Sequence, residues 1–82
     1  SRGIKSLGRG IPRPGMEVVD SAGNVIGEVT SGTFSPTLRI GVGLALVDAD
    51  HGLGSRVGVR VRRRVEEFEL VKPPFVESRV RQ

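Results

Sequence analysis

The 82-residue chain carries thirteen Lys and Arg against nine Asp and Glu, one His, and no Cys, Trp or Tyr. This length holds one domain whose modest core buries roughly 60–65% of the surface the unfolded chain exposes, so a partner surface is expected to supplement it; without cysteine there are no disulfides or thiolate metal sites, and His51 alone cannot build an imidazole cluster. No stretch approaches the roughly 20 apolar residues of a membrane span, and no apolar run follows Arg2 and Lys5 as in a signal peptide, which predicts a soluble, cytoplasmic protein with no membrane partner.

Twelve glycines and five prolines cut the chain into short segments, and within them apolar residues alternate or cluster in β-branched runs, the signal of strands. A first short strand is expected over 3–7, ended by Gly8-Arg9-Gly10 and Pro12-Arg13-Pro14-Gly15, which no helix crosses. Residues 16–20 read as the second strand and 25–31 as the third, joined by a tight hairpin at Ser21-Ala22-Gly23-Asn24 in which Gly23 suits a positive φ. Residues 32–37 read as a loop. The run 41–48 is the most apolar, and the unbroken Leu44-Ala45-Leu46-Val47 predicts a strand covered on both faces.

A turn at Asp50-His51-Gly52-Leu53-Gly54 follows, with His51 as a surface turn residue. Over 56–62, Val57, Val59 and Val61 share one face, while Arg56, Arg60 and Arg62 share the other with Gly58. A last strand is expected over 65–72, with Phe68 and Leu70 on one face; Pro73-Pro74 ends it, Phe75-Val76 packs back, and 77–82 is a polar tail. Val57, Val59, Val61, Leu44 and Leu46 are expected to be buried together. The fold class predicted is all-β: a small six-stranded antiparallel barrel of Greek-key or jelly-roll type with no substantial helix, forming a single domain over 1–82.

No catalytic constellation can be assembled from these residues. A nucleophilic triad needs a base beside its Ser or Thr, and His51 lies in a glycine-flanked turn far along the chain from Ser31 and Ser35. Glu66 and Glu67 are adjacent in a strand and point to opposite faces, so they cannot act jointly on one bond; they read as edge charges opposing self-association. Gly8-Arg9-Gly10 and Gly52-Leu53-Gly54 have no following helix to make a phosphate cradle, and Gly41-Val42-Gly43 lies within a strand, where glycine marks close backbone approach. The net charge of +4 raises a rival reading, a basic RNA-binding barrel using Arg60, Arg62, Arg63 and Arg64. Single-strand readers rely on aromatic stacking worth ~1–3 kcal/mol per base, however, and Phe34, Phe68 and Phe75 are scattered. No nucleic-acid partner is expected.

The segment Ile26-Gly27-Glu28-Val29-Thr30-Ser31-Gly32-Thr33-Phe34-Ser35-Pro36-Thr37-Leu38 closely resembles the signature of the C-terminal barrel of aminomethyltransferase, the T-protein of the glycine cleavage system. Three further pieces stand in the matching order: Ile11-Pro12-Arg13-Pro14-Gly15-Met16-Glu17-Val18, Val42-Gly43-Leu44-Ala45-Leu46-Val47-Asp48 and Val71-Lys72-Pro73-Pro74-Phe75-Val76. The resemblance runs from about Arg2 to Val76. Arg63 stands where the family commonly has a hairpin glycine, and Arg39 alone represents a lysine pair after Thr-Leu.

The resemblance implies a C-terminal β-barrel of a larger multidomain folate-dependent enzyme, three domains around a tetrahydrofolate channel. Such an enzyme takes an aminomethyl group from the lipoylated H-protein, releases ammonia and forms methylenetetrahydrofolate. Its catalytic aspartate lies in earlier domains, so this chain is expected to hold no catalytic residue and no metal, and to wall the channel while docking onto those domains. Phe34, Ser35 and Pro36 are expected at that interdomain contact, and Arg79 and Arg81 of the tail at the folate carboxylates. Related barrels end sarcosine and dimethylglycine dehydrogenases and folate-binding tRNA-modification proteins; the Thr-Ser-Gly-Thr-Phe-Ser-Pro match favours the transferase. A chain that opens in mid-pattern is expected to be a fragment.

Overall fold

The computed structural model describes residues 2–72. They form β1 (Arg2–Ser6), β2 (Glu17–Val19), β3 (Val25–Ser35), β4 (Ile40–Val47), β5 (Arg56–Val61) and β6 (Arg64–Val71). All pairings are antiparallel and the sheet closes on itself in the order β1-β4-β3-β2-β5-β6. Strands β2, β3 and β4 are successive neighbours and β1 returns beside β4, a Greek-key order. Among the described residues no helix is long and apolar enough to cross a membrane.

The core gathers one side chain in two from every strand: Ile4, Val18, Ile26, Val29, Ala45, Val57, Val59, Phe68 and Leu70 are buried together, with Val61 packed against them. The alternation in β5 therefore places its valines as expected, and Phe68 and Leu70 face inward together. The hairpin at Gly23 also forms, with φ at 88° and Gly23 N donating to Asp20 O at 3.0 Å. Gly41 and Gly43 mark a close approach: Pro12, itself fully buried, sits against both, and against Gly32.

Several expectations are corrected. The stretch 32–37 is not a loop as far as Ser35, because β3 stays paired to β4 from Gly32↔Gly43 to Ser35↔Ile40. A bulge at Thr30, between Val29 and Ser31, re-aims the strand, and the ladder ends only at Pro36, which has no N–H to offer. Strand β4 is not covered on both faces. Ala45 points into the core, Leu44 is half-buried and Leu46 is 57% exposed. Two-sided cover belongs to sheets sandwiched between other layers, and the described residues supply no outer layer. Glu66 and Glu67 guard no edge, since β6 is paired to β5 and β1; they form ion pairs instead, Glu67 with Arg56 at 3.5 Å and Glu66 with Arg64 at 3.2 Å. His51 is half-buried rather than a plain surface residue: its Nδ1 is shut from solvent with no hydrogen-bond partner among the described residues, and its carbonyl oxygen accepts from the Arg2 guanidinium. Phe75 and Val76 lie outside the described residues.

Candidate functional site

The strap between β1 and β2 enters the barrel mouth because small residues admit it. A β-carbon on Gly10 would lie 2.8 Å from Glu66 Cβ and 3.1 Å from Phe68 Cε1, so only glycine brings the backbone this close. Two residues on, Pro12 plugs the space over Gly32, Gly41 and Gly43. This anchoring fixes Arg9 and Arg13 on either side of the plug.

Across from them, β5 and β6 meet in a two-residue turn, Arg62-Arg63, closed by the Val61↔Arg64 pair. Arg62 holds φ at 57°, a left-handed conformation that glycine takes freely and a side chain resists. The positive φ thus falls on Arg62, one residue before the Arg63 position at which the family resemblance places a glycine. Strap and turn enclose an open groove of about 600 Å³, lined by Arg9, Arg13, Arg62, Arg63 and Arg64 over Ile11, Met16 and Val61.

The charge in this groove is largely uncompensated. Arg64 meets Glu66 at 3.2 Å, but no carboxylate among the described residues lies within 4.0 Å of Arg9, Arg13, Arg62 or Arg63. Outside the groove, Arg60 pairs with Glu17 at 3.6 Å and Lys5 with Glu69 at 3.9 Å. Those pairs are solvent-exposed and add little stability, but they divide neutralised cations on the barrel wall from open ones at its mouth.

A second feature is the end of the β3–β4 hairpin. Ser35 is buried, its Oγ accepting from Leu38 N at 3.2 Å and its carbonyl oxygen from Arg39 N at 2.6 Å. Arg39 takes φ at 61° to complete the turn. With Ser35 committed inward, Phe34 and Leu38 stand out, 48% and 49% exposed, beside the exposed Pro36. Of the expected contact residues, Phe34 and Pro36 are therefore presented to solvent, while Ser35 shapes the turn. Arg79 and Arg81 lie outside the described residues.

Asp20 organises the β2–β3 hairpin. Its carboxylate accepts from Asn24 N at 2.8 Å, Ala22 N at 2.9 Å and Asn24 Nδ2 at 3.2 Å. The bond from the Asn24 backbone is the main reason its pKa falls below the ordinary carboxyl value.

Sequence reasoning found the Arg60, Arg62, Arg63, Arg64 cluster but missed Arg9 and Arg13, which stand about fifty residues away and arrive only through barrel closure. The available signal was Gly32, Gly41 and Gly43, whose inward side needs a buried residue from elsewhere.

The family model described as the glycine cleavage T-protein C-terminal barrel domain matches residues 2–77. An aminomethyltransferase of Parafrankia sp. (strain EAN1pec) is 55% identical over 76 residues, covering 93% of this chain and 21% of that protein. The aminomethyltransferase of Mycobacterium tuberculosis (strain ATCC 25618 / H37Rv) is 48% identical over 82 residues, covering 98% of this chain and 22% of the relative. The crystal structure of glycine cleavage system aminomethyltransferase T from Bartonella henselae superposes with a TM-score of 0.83 at 33% identity, over 95% of this chain and 22% of that one. The chain spans about a fifth of the length of the curated relatives it matches.

Proposed function

The chain belongs to the family of glycine cleavage T-protein C-terminal barrel domains, and from that membership we propose that it is the non-catalytic C-terminal barrel of a tetrahydrofolate-dependent aminomethyltransferase. The observation that carries this reading is the match over residues 2–77, joined to relatives at about half identity that are roughly five times longer. The parent takes the aminomethyl group from the lipoylated H-protein and passes its carbon to tetrahydrofolate. The chemistry resides in the remaining four-fifths of the parent, and the barrel walls the folate channel and docks onto the upstream domains.

Two features support the docking role. The hairpin end presents Phe34, Pro36 and Leu38 without a cover among the described residues, and Leu46 presents an apolar side chain from the outer face of β4. A contiguous exposed apolar patch is a mark of a contact surface, and the hairpin end is where these side chains stand nearest in sequence. In the tail, Arg79 and Arg81 meet the carboxylates of the folate glutamate, where a guanidinium gives two parallel hydrogen bonds. The RNA-binding alternative draws less support, because Phe68 is fully buried and Phe34 is on β3 rather than in the arginine groove, leaving no stacking platform there among the described residues.

Folate titration tests the reading. The full-length parent should bind tetrahydrofolate, the 82-residue barrel alone should not, and Arg79→Ala with Arg81→Ala should weaken the parent's affinity. Tight folate binding by the barrel alone would contradict the shared channel.

A further inference from the structure

We propose that the arginine groove at the barrel mouth is a binding site for a small phosphate-bearing anion. Two elements distant in sequence bring five arginines to the lining of one open groove of about 600 Å³, with Arg9 and Arg13 on the strap and Arg62, Arg63 and Arg64 on the β5–β6 turn. Like charges gathered in this way repel one another, and of these five arginines only Arg64 has a carboxylate partner among the described residues. A bound anion reverses the sign of that interaction.

The backbone supplies a second, independent observation. Arg62 holds φ at 57°, where glycine would be relaxed. The turn keeps a guanidinium here instead of the relaxed glycine, so the charge of the groove is retained at a backbone cost.

Ligand class follows from geometry. A planar carboxylate is satisfied by one or two guanidinium forks, whereas a tetrahedral phosphate offers three oxygens and up to two charges near pH 7. Arginines on both walls of the groove suit the tetrahedral group better than a single planar carboxylate. The apolar floor of Ile11, Met16 and Val61 leaves room for the body of the molecule that carries it.

Calorimetric titration of the full-length protein with inorganic pyrophosphate, at fixed ionic strength, tests the site. Arg62→Gly separates binding from folding, because it relieves the strained φ while removing one guanidinium. It should therefore raise the melting temperature and weaken pyrophosphate binding, and together with Arg63→Gln the loss should be at least about tenfold. Arg60→Gln, on the wall and paired to Glu17, should change affinity less than about twofold. Citrate, of similar charge but carrying carboxylates, should bind about tenfold more weakly than pyrophosphate. No pyrophosphate binding, full affinity in the Arg62→Gly variant, equal binding of citrate, or single-stranded RNA binding more tightly than pyrophosphate would each overturn the proposal. Because the readout is anion affinity and not turnover, its failure would leave the transferase reading standing.

Discussion

Pro12 lies against Gly43 so closely that a β-carbon on the glycine would sit 3.1 Å from the proline Cγ and still nearer the Ser31 carbonyl oxygen. Neither neighbour can yield, since one is a rigid ring in a fully buried position and the other belongs to the β3 ladder. Gly43→Ala should therefore destabilise the barrel by about 1–3 kcal/mol, the usual range for forced overpacking. Urea denaturation followed by circular dichroism measures this as a lowered midpoint at unchanged slope.

The core and the outer face should respond in opposite ways. Phe68 is fully buried within the cluster formed by Ile4, Leu70 and the valines. Phe68→Ala should cost about 3–5 kcal/mol, a large share of the ~4–12 kcal/mol that per-residue norms allow a domain of this length. Leu46→Ser, on the exposed side of β4, should stay within about 0.5 kcal/mol in the isolated barrel. The same denaturation experiment distinguishes the two.

Asp20 sets an acid limb. Its folded pKa lies below the ordinary value of 3.8, chiefly through the hydrogen bond from the Asn24 backbone. Stability from this group is fully present above that ordinary value and is lost as pH falls through the lowered folded pKa. Asp20→Ala should accordingly be less stable than the parent chain at pH 6 and converge with it near pH 2. A gap that stays constant across this range would show that the carboxylate is not responsible.

These residues show why part of the molecule was legible in its sequence. The β5 alternation, the Gly23 hairpin and the closed all-β class follow from local pattern and turn chemistry, and the Thr-Ser-Gly-Thr-Phe-Ser-Pro segment carried the family. The seat of Pro12, the shared groove of Arg9 and Arg62 and the exposure of Leu46 depend on which strands meet when the sheet closes. Periodicity within one segment does not encode that. Gly32 reads as a chain break in the sequence, yet in the fold it is the space that lets β3 run on beneath Pro12.

Phe34 tests docking. It is 48% exposed at the hairpin end, so Phe34→Ala should leave the isolated barrel within about 0.5 kcal/mol of its stability. In the full-length parent the same change should lower the melting temperature and raise hydrogen exchange in the barrel. Equal effects in both proteins would show that Phe34 serves only the barrel itself.

We propose that this barrel functions as part of a longer transferase. The most direct measurement is formation of methylenetetrahydrofolate from aminomethyl-loaded H-protein and tetrahydrofolate, by the full-length parent, by the parent lacking these 82 residues, and by the barrel alone. Turnover is expected in the first, a severe loss in the second and none in the third. Turnover by the barrel alone, or undiminished turnover without it, would contradict the claim.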